Sequence, residues 1–588
     1  MSGPTSSATG MPIDGLLVLQ RSDVAHIAAQ RERFAGLPLL CIDPGIMDSV
    51  IQAGLGEYQL RRLNVPRDMP ARVYTETTAR VTLIDLLLTN ERERLFGPGL
   101  FQGWDRNALY LSLHVMLTAL ALRPLVEADF PEQRLGLLRP DNPVLFNFDS
   151  MAPVEVFAAN ARRWSIVDRY EAGRFWNPLL LQACFDFDGI AQAAAEGRAE
   201  ALTHLATCFY DVKAFGEAVA ARFTHNIDLP SVYCDVPVRR PRMLLKMLAD
   251  TDPQWIDPRC ALYRERARQV LLQQLADLIP ARAALELQAD TLAQRAYLQA
   301  VSYFGLLRAL KGRQPHVVVA DHDNGYLGPL FSLADTLGSE ITVLPHSGYT
   351  NSALPHGRRV TAIERVGFGT HVLTMLGQPV ATRSVRYRNP PQPHQQPQPR
   401  QQLKRLCILV NTMFADGHYR IDLFGLMTLF KGLRARAVAH DLELSVRLKP
   451  STPALNVVAG ALGEPAAYFM RCTQLPIEQV AQECDLCLAH GELTTGTINF
   501  LDTGSLVLHV SDEDWPTQLA PQAPFLHDRL VQSFHTDALL ALVDRLLAEP
   551  AEYLRLQQAQ AAAYAHRLAG GHDTFFPASS DSRSLVPC

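Results

Sequence analysis

Lysine is scarce in this chain. Its 588 residues hold six, Lys213, Lys246, Lys311, Lys404, Lys431 and Lys449, and arginine supplies the rest of the 55 basic side chains. No block of like charge stands out, and the formal net charge is −5. A chain without a basic stripe has no electrostatic footprint for nucleic acid, so no nucleic-acid partner is expected. No apolar run is long enough to span a membrane. The nearest, Leu111 to Leu122, contains His114 and reads as a buried helix. The opening residues, MSGPTSSATGM, carry no apolar segment of the secretory kind. GxxxxGK(S/T) and a GxGxxG after a strand are both missing, which argues against P-loop NTPases and simple dehydrogenases. HExxH and paired CxxC motifs are missing too, so no metal and no cofactor is expected. The ten cysteines are scattered through apolar runs. Cys484 and Cys487 form one C-D-L-C without a second pair, and they read as core thiols of a reducing compartment. The expected location is the cytoplasm, with membrane contact at most peripheral, at the inner face.

What is present is an α/β pattern. Residues 1–12 are small and polar and are expected to be disordered. From residue 14 the chain reads strand, helix, strand, with Asp43-Pro44-Gly45 closing the second strand. Residues 72–123 read as a strand and then two helices, and Val144 to Phe148 as another strand. From about 151 to 311 the apolar spacing turns helical, without a fixed repeat, and predicts a helical insertion. Residues 388–404, from Arg388 to Lys404, are rich in proline and glutamine and read as a linker. Beyond it a second α/β pattern runs over 405–568, and residues 569–588 read as a flexible tail. The predicted fold is therefore α/β, with two Rossmann-like lobes: an N-terminal one over 13–387 carrying the helical insertion, and a C-terminal one over 405–568.

Candidate chemistry gathers at strand ends. The run Val317 to Ala320 leads into Asp321, His322, Asp323, Asn324 and Gly325; a helix follows, and the strand Ile341 to Leu344 ends in Pro345-His346-Ser347-Gly348. Open α/β sheets bind ligands at the carboxyl ends of their strands. A carboxylate near a histidine suits general base chemistry, or a nucleophile with its supporter. Asp323 competes with turn duty in D-N-G, and His346 suits a structural hydrogen bond as well as catalysis. In the C-terminal lobe, three strand ends carry polar groups: His418 within NTMFADGHYR, then Arg447 and Lys449, then His490-Gly491-Glu492-Leu493-Thr494-Thr495. Threonines at a helix start are ordinary N-caps when alone. Three such ends on one sheet, two of them basic or glycine-bearing, suit an anionic, nucleotide-bearing ligand. Asp512-Glu513-Asp514 reads as a solvated charge run.

Two Rossmann-like lobes with a linker between them resemble the GT-B glycosyltransferases. More narrowly, the layout resembles bacterial enzymes of surface-polysaccharide assembly, such as the sialyl- and Kdo-transferases that use CMP-sugars. Asp321, Asp323 and Pro345-His346-Ser347-Gly348 match the end of that family's first lobe. Thr494-Thr495 matches its Ser/Thr pair, and Lys449-Pro450 stands where the family has His-Pro. The resemblance implies metal-independent transfer of a sugar from a nucleotide donor, a CMP-sugar among the candidates, to a glycan acceptor. It places Asp321 as base or nucleophile with His346 assisting, and Arg447, Lys449, His490, Gly491, Thr494, Thr495 and His418 around the donor. A nucleotide-sugar epimerase or polyol-phosphate transferase on the same scaffold, or a non-catalytic scaffold protein, are the alternative readings.

Overall fold

The computed structural model describes residues 13–42, 44–55, 58–60, 66, 68–100, 104, 106–140, 154, 157–158, 163–170, 204–208, 226–228, 257–310, 314, 316–320, 327–344, 353–354, 360–365, 373–374, 382–387, 402–410, 423–448, 455–491, 493, 496–512 and 529–568. The α/β class expected from the sequence is the class of the fold. Among the described residues the strands form three large sheets, and every pairing within them is parallel.

The first sheet comes from β1 (Gly15–Val18), β2 (Leu39–Cys41), β3 (Tyr58–Leu60), β4 (Leu135–Pro140) and β5 (Trp164–Tyr170), in the order β3-β2-β1-β4-β5. Helices α1 (Arg21–Ala29) and α2 (Pro44–Gln52) make its early crossovers. Two much longer helices, α3 (Met69–Phe96) and α4 (Arg106–Asp129), lie between β3 and β4. The middle sheet starts with β6 (His204–Cys208) and β7 (Asn226–Asp228), then two long helices, α5 (Arg259–Leu275) and α6 (Arg282–Leu310). It continues through β8 (His316–Ala320), α7 (Leu327–Leu337) and β9 (Ile341–Leu344). The short β10 (Ala353–Leu354) pairs with β12 (Leu373–Thr374), while β11 (Val360–Arg365) and β13 (Thr382–Tyr387) complete the order β13-β11-β9-β8-β6-β7.

The region 13–387, expected as one lobe, thus holds two separate sheets. Its stretch 151–311 is helical in its later part and carries strands β5, β6 and β7 in its earlier part. β5 escaped the periodicity because WSIVDRY is an edge strand, and edge strands keep polar residues. The expected strand at Val144 to Phe148 and most of the linker 388–404 lie outside the described residues.

The strand expected at the start of 72–123 is helix. Threonines are β-branched, which locally favours extended backbone. In α3 their hydroxyls instead donate to carbonyls one turn back, Thr77 to Val73 (2.6 Å), Thr82 to Thr78 (2.8 Å) and Thr89 to Asp85 (2.8 Å). The four long helices share one apolar core that reaches Phe331 and Leu333 of α7 and Ile341 of β9. Within it, fully buried Arg92 donates to the Tyr263 hydroxyl (3.0 Å) and to Thr89 Oγ1 (2.7 Å), with its guanidinium 4.9 Å from the centre of the Trp104 ring. The Trp104 indole in turn donates to Ser332 of α7 (2.8 Å). Gly328 packs against this tryptophan so closely that an added Cβ would lie 2.7 Å from its backbone, which leaves no room for any other residue.

The last unit runs β14 (Arg405–Val410), α8 (Leu423–His440), β15 (Glu443–Arg447), α9 (Leu455–Leu462), α10 (Ala466–Gln474), α11 (Ile477–Glu483) and β16 (Leu486–His490). It ends with α12 (Gly496–Asp502), β17 (Leu506–Val510), β18 (Gln532–Phe534), α13 (Thr536–Ala548) and α14 (Pro550–Leu568). The strand order is β15-β14-β16-β17-β18. Alternation sorts its two faces: Leu406, Ile408, Leu486, Leu488, Leu506 and Leu508 join one core, and Cys407, Leu409, Cys487, Ala489 and Val507 the other. Cys484 and Cys487 are buried free thiols, and burial pushes the Cys487 thiol far up, as suits an inert core position. Where β18 has not yet begun, the buried Gln560 side chain of α14 accepts the Val507 N–H (2.7 Å) and donates to the carbonyls of Val507 and Leu530 (both 2.8 Å). Asp512 accepts the N–H (2.8 Å) and hydroxyl (2.7 Å) of Thr536 at the start of α13, so it is a helix cap rather than a free surface charge.

The last unit packs on the first sheet. One apolar core includes Leu16, Val18, Ile46 and Val50 from the first and Val457, Val458, Leu426 and Leu488 from the last. Helix α2 lies against α9, and buried Asp48 of α2 accepts the N–H groups of Asn456 (2.9 Å) and Val457 (3.3 Å) in the first turn of α9. Gln52 donates to its other oxygen (2.5 Å). Burial pushes the Asp48 carboxyl above the usual range, while the two α9 amides pull the other way. Replacing Asp48 with alanine leaves those amides uncapped at a partly buried joint. The expected cost is about 1–2 kcal/mol, read as a lower urea midpoint for unfolding, and Asp48→Asn, which keeps an acceptor, should recover most of it.

Candidate functional site

In an open parallel sheet, ligands bind where neighbouring crossovers leave in opposite directions and open a crevice at the strand carboxyl ends. The last sheet has that reversal between β14 and β16: the chain goes from β14 outward to β15, then returns across β14 to β16. The two strands pair in register up to Val410 against His490, so both end at the same level. Segments 411–422 and 491–495 follow these ends in the sequence and contain four of the candidates, His418, Gly491, Thr494 and Thr495, while a fifth, His490, is the last residue of β16.

His490 closes β16 and is buried. Gly491 follows with φ +79°, a left-handed backbone that a side chain strains. Its N–H donates to the Val510 carbonyl of β17 (3.1 Å), and its own carbonyl accepts from His509 Nε2 on the same strand. His509 Nδ1 lies 2.7 Å from the Ser533 hydroxyl of β18. A carbonyl can only accept, so Nε2 carries the proton and neutral Nδ1 accepts from Ser533. Burial holds His509 below the ordinary imidazole range, and the bond to Gly491 opposes that shift. Sequence reading missed His509, since within LVLHV it looks like one more core position of a strand.

Arg447 is placed differently from its expected role at a donor. It is buried, and its Nη1 donates to the carbonyls of Cys472 (2.5 Å) and Leu475 (2.8 Å) at the end of α10. A guanidinium suits a helix carboxyl end, where unpaired carbonyls and the helix dipole both favour positive charge. This nitrogen ties α10 to β15 rather than reaching for a ligand. Lys449, Thr494, Thr495 and His418 lie outside the described residues. So do Asp321, Asp323 and His346, although the unit that carries them is as expected: β8, α7 and β9 form a βαβ unit, with Val317 to Ala320 in register with Ile341 to Leu344 and Gly338 (φ +67°) ending the helix.

The first sheet also reverses direction, between β1 and β4. There the start of α1 is already occupied by the chain's own carboxylate. Asp23 Oδ2 accepts the N–H groups of Leu19 (3.1 Å) and Gln20 (3.2 Å), and Oδ1 accepts the Tyr170 hydroxyl (2.7 Å). A second carboxylate, Asp168 on β5, binds His26 (2.8 Å) and Arg33 (2.6 Å). Burial alone would raise Asp168, but these partners and the Arg169 amide hold it below its usual range. Asp23 thereby takes up backbone amides at the start of α1 that a phosphate would otherwise use.

No protein-family description matches this chain, and neither does any curated protein. Several solved structures are similar in part. The glycosyltransferase SnogD from Streptomyces nogalater matches at 14% identity over 46% of this chain and 76% of its own, with a TM-score of 0.26. The spinosyn rhamnosyltransferase SpnG, complexed with spinosyn aglycone, matches at 11% identity over 68% and 97%, with a TM-score of 0.30. A mutant O-GlcNAc transferase of Thermobaculum terrenum matches at 12% identity over 86% and 95%, with a TM-score of 0.33. Scores this low bear no weight on the function of this chain.

His509 generates a stability prediction. Its folded-state pKa is depressed, so its contribution is whole above the unfolded value of about 6.5 and is lost as pH falls toward the folded value. The urea midpoint should drop between about pH 7 and about pH 5, and His509→Gln, which does not titrate, should show a shallower drop. An equal slope in the two proteins would assign the pH dependence to other groups.

Proposed function

We propose that this chain is a GT-B-type glycosyltransferase that moves a sugar from a nucleotide-activated donor to a glycan acceptor of surface-polysaccharide assembly. The observation that carries this reading is the strand reversal between β14 and β16, at whose carboxyl ends His490 and Gly491 stand. The donor's nucleotide and phosphate lie in that crevice, against Gly491, Thr494 and Thr495, with Lys449 and His418 from the neighbouring strand ends. Arg447 supports the wall of this crevice through α10. A CMP-sugar is the donor that the family resemblance favours, and transfer takes place in the cytoplasm with membrane contact at most peripheral.

The segments after β8 and β9 supply the reacting groups on the acceptor side. Asp321 takes the proton from an acceptor hydroxyl, whose oxygen forms a bond to the anomeric carbon. The bond from that carbon to the donor phosphate oxygen breaks, and the nucleotide leaves with its electron pair. His346 orients the carboxylate, and Asp323 shapes the turn that presents it. The mechanism assigns no step to a metal or a cofactor.

Thermal unfolding in the presence of CMP, CDP, UDP and GDP tests the donor site. A nucleotide at about one hundred times its dissociation constant should stabilise the protein by about 2.7 kcal/mol, and no shift with any of the four would remove the nucleotide reading. With the donor identified, Asp321→Asn should lower turnover by about two orders of magnitude or more while leaving the nucleotide-induced shift intact. Unchanged turnover would take the catalytic role away from Asp321.

A further inference from the structure

We infer that His509 is a positioning residue for the β14–β16 crevice, fixing the direction in which the chain leaves β16. This rests on the reading of that crevice as the nucleotide site. His509 sits on β17, beside Ala489 of β16 and Ser533 of β18, and is 5% exposed, so solvent does not compete for its ring. Gly491 has both backbone groups held by β17: the Val510 carbonyl takes its N–H and His509 Nε2–H takes its carbonyl. The residue so gripped is the one whose left-handed φ turns the chain off the strand. The segment leading to Thr494 and Thr495 starts from it.

The ring's other nitrogen shows why a histidine stands here. Ser533 donates to Nδ1, which leaves the proton on Nε2 and aims it at the carbonyl. Each strand hands one constraint to the next: β18 sets the tautomer, β17 carries the ring, and the turn after β16 receives the bond. A leucine at 509 would fill the space and leave the Gly491 carbonyl without that donor. A glutamine would keep an N–H donor at about the same reach. The inference is thus specific to one hydrogen bond and separable from packing.

The test compares wild type, His509→Leu and His509→Gln in the full chain by amide hydrogen exchange and by titration with CMP, CDP, UDP and GDP. In His509→Leu, exchange in peptides covering 490–495 should rise at least about tenfold while peptides covering 405–410 stay as in wild type, and the nucleotide dissociation constant should rise about tenfold. His509→Gln should restore both to within about threefold. Wild-type exchange at 490–495 in His509→Leu, an equal rise over 405–410, or failure of His509→Gln to restore it would each overturn the inference. If wild type binds none of the four nucleotides, the donor-site reading falls, and the exchange comparison alone still decides whether His509 fixes the turn.

Discussion

The arrangement of the units depends on a carboxylate that reaches across 408 positions of sequence to cap a helix. A helix begins with N–H groups that its own turn cannot satisfy, and α9 begins at a partly buried joint with α2. Asp48 supplies the missing acceptor from α2. Desolvation makes a lone buried carboxylate costly, and two amides with the Gln52 side chain offset that cost only in the docked geometry. The interaction is therefore specific as well as stabilising: the two α9 amides meet the Asp48 carboxylate only when α2 and α9 are docked. It also sets which neighbours meet, since the C-terminal unit rests on the first sheet although the middle sheet precedes it in the chain.

That layout follows from how the crossovers are used. Between β3 and β4, and again between β7 and β8, the chain makes pairs of helices far longer than a crossover needs, and the two pairs pack together. The helical core is assembled from two distant stretches, with Arg92, Trp104 and Ser332 linking α3, the segment before α4 and α7. Sequence periodicity showed the second pair clearly and half-disguised the first. The threonines of α3 favour extended backbone by local preference alone. Their carbonyl partners one turn back exist only once the helix has formed.

The C-terminal unit was the most legible part of the chain. Its strands β14, β16 and β17 are short apolar runs followed in the sequence by polar residues, which makes the α/β pattern beyond residue 405 easy to read. The site was legible only as far as strand ends. That His490 and Gly491 stand at a strand end can be read from the chain. That the end lies at the reversal of the sheet requires the order of pairing, which composition does not carry. Arg447 and His509 show the same divide: one looked like a ligand cation and holds a helix end, and the other looked like core and holds the turn. Both roles depend on partners that arrive 18 to 28 residues away.

Gln560 gives the last unit a different kind of boundary. Its amide offers one donor group and one acceptor, as a residue of a neighbouring strand would, and both meet Val507 on the side where β18 has yet to start. A helix is thereby completing the hydrogen-bonding edge of a sheet. Without that side chain, β17 would present an unpaired N–H and carbonyl at the place where a foreign strand could dock. The C-terminal helix thus pairs the stretch of β17 that β18 leaves open, and a chain cut before residue 560 would leave the Val507 N–H and carbonyl without these partners.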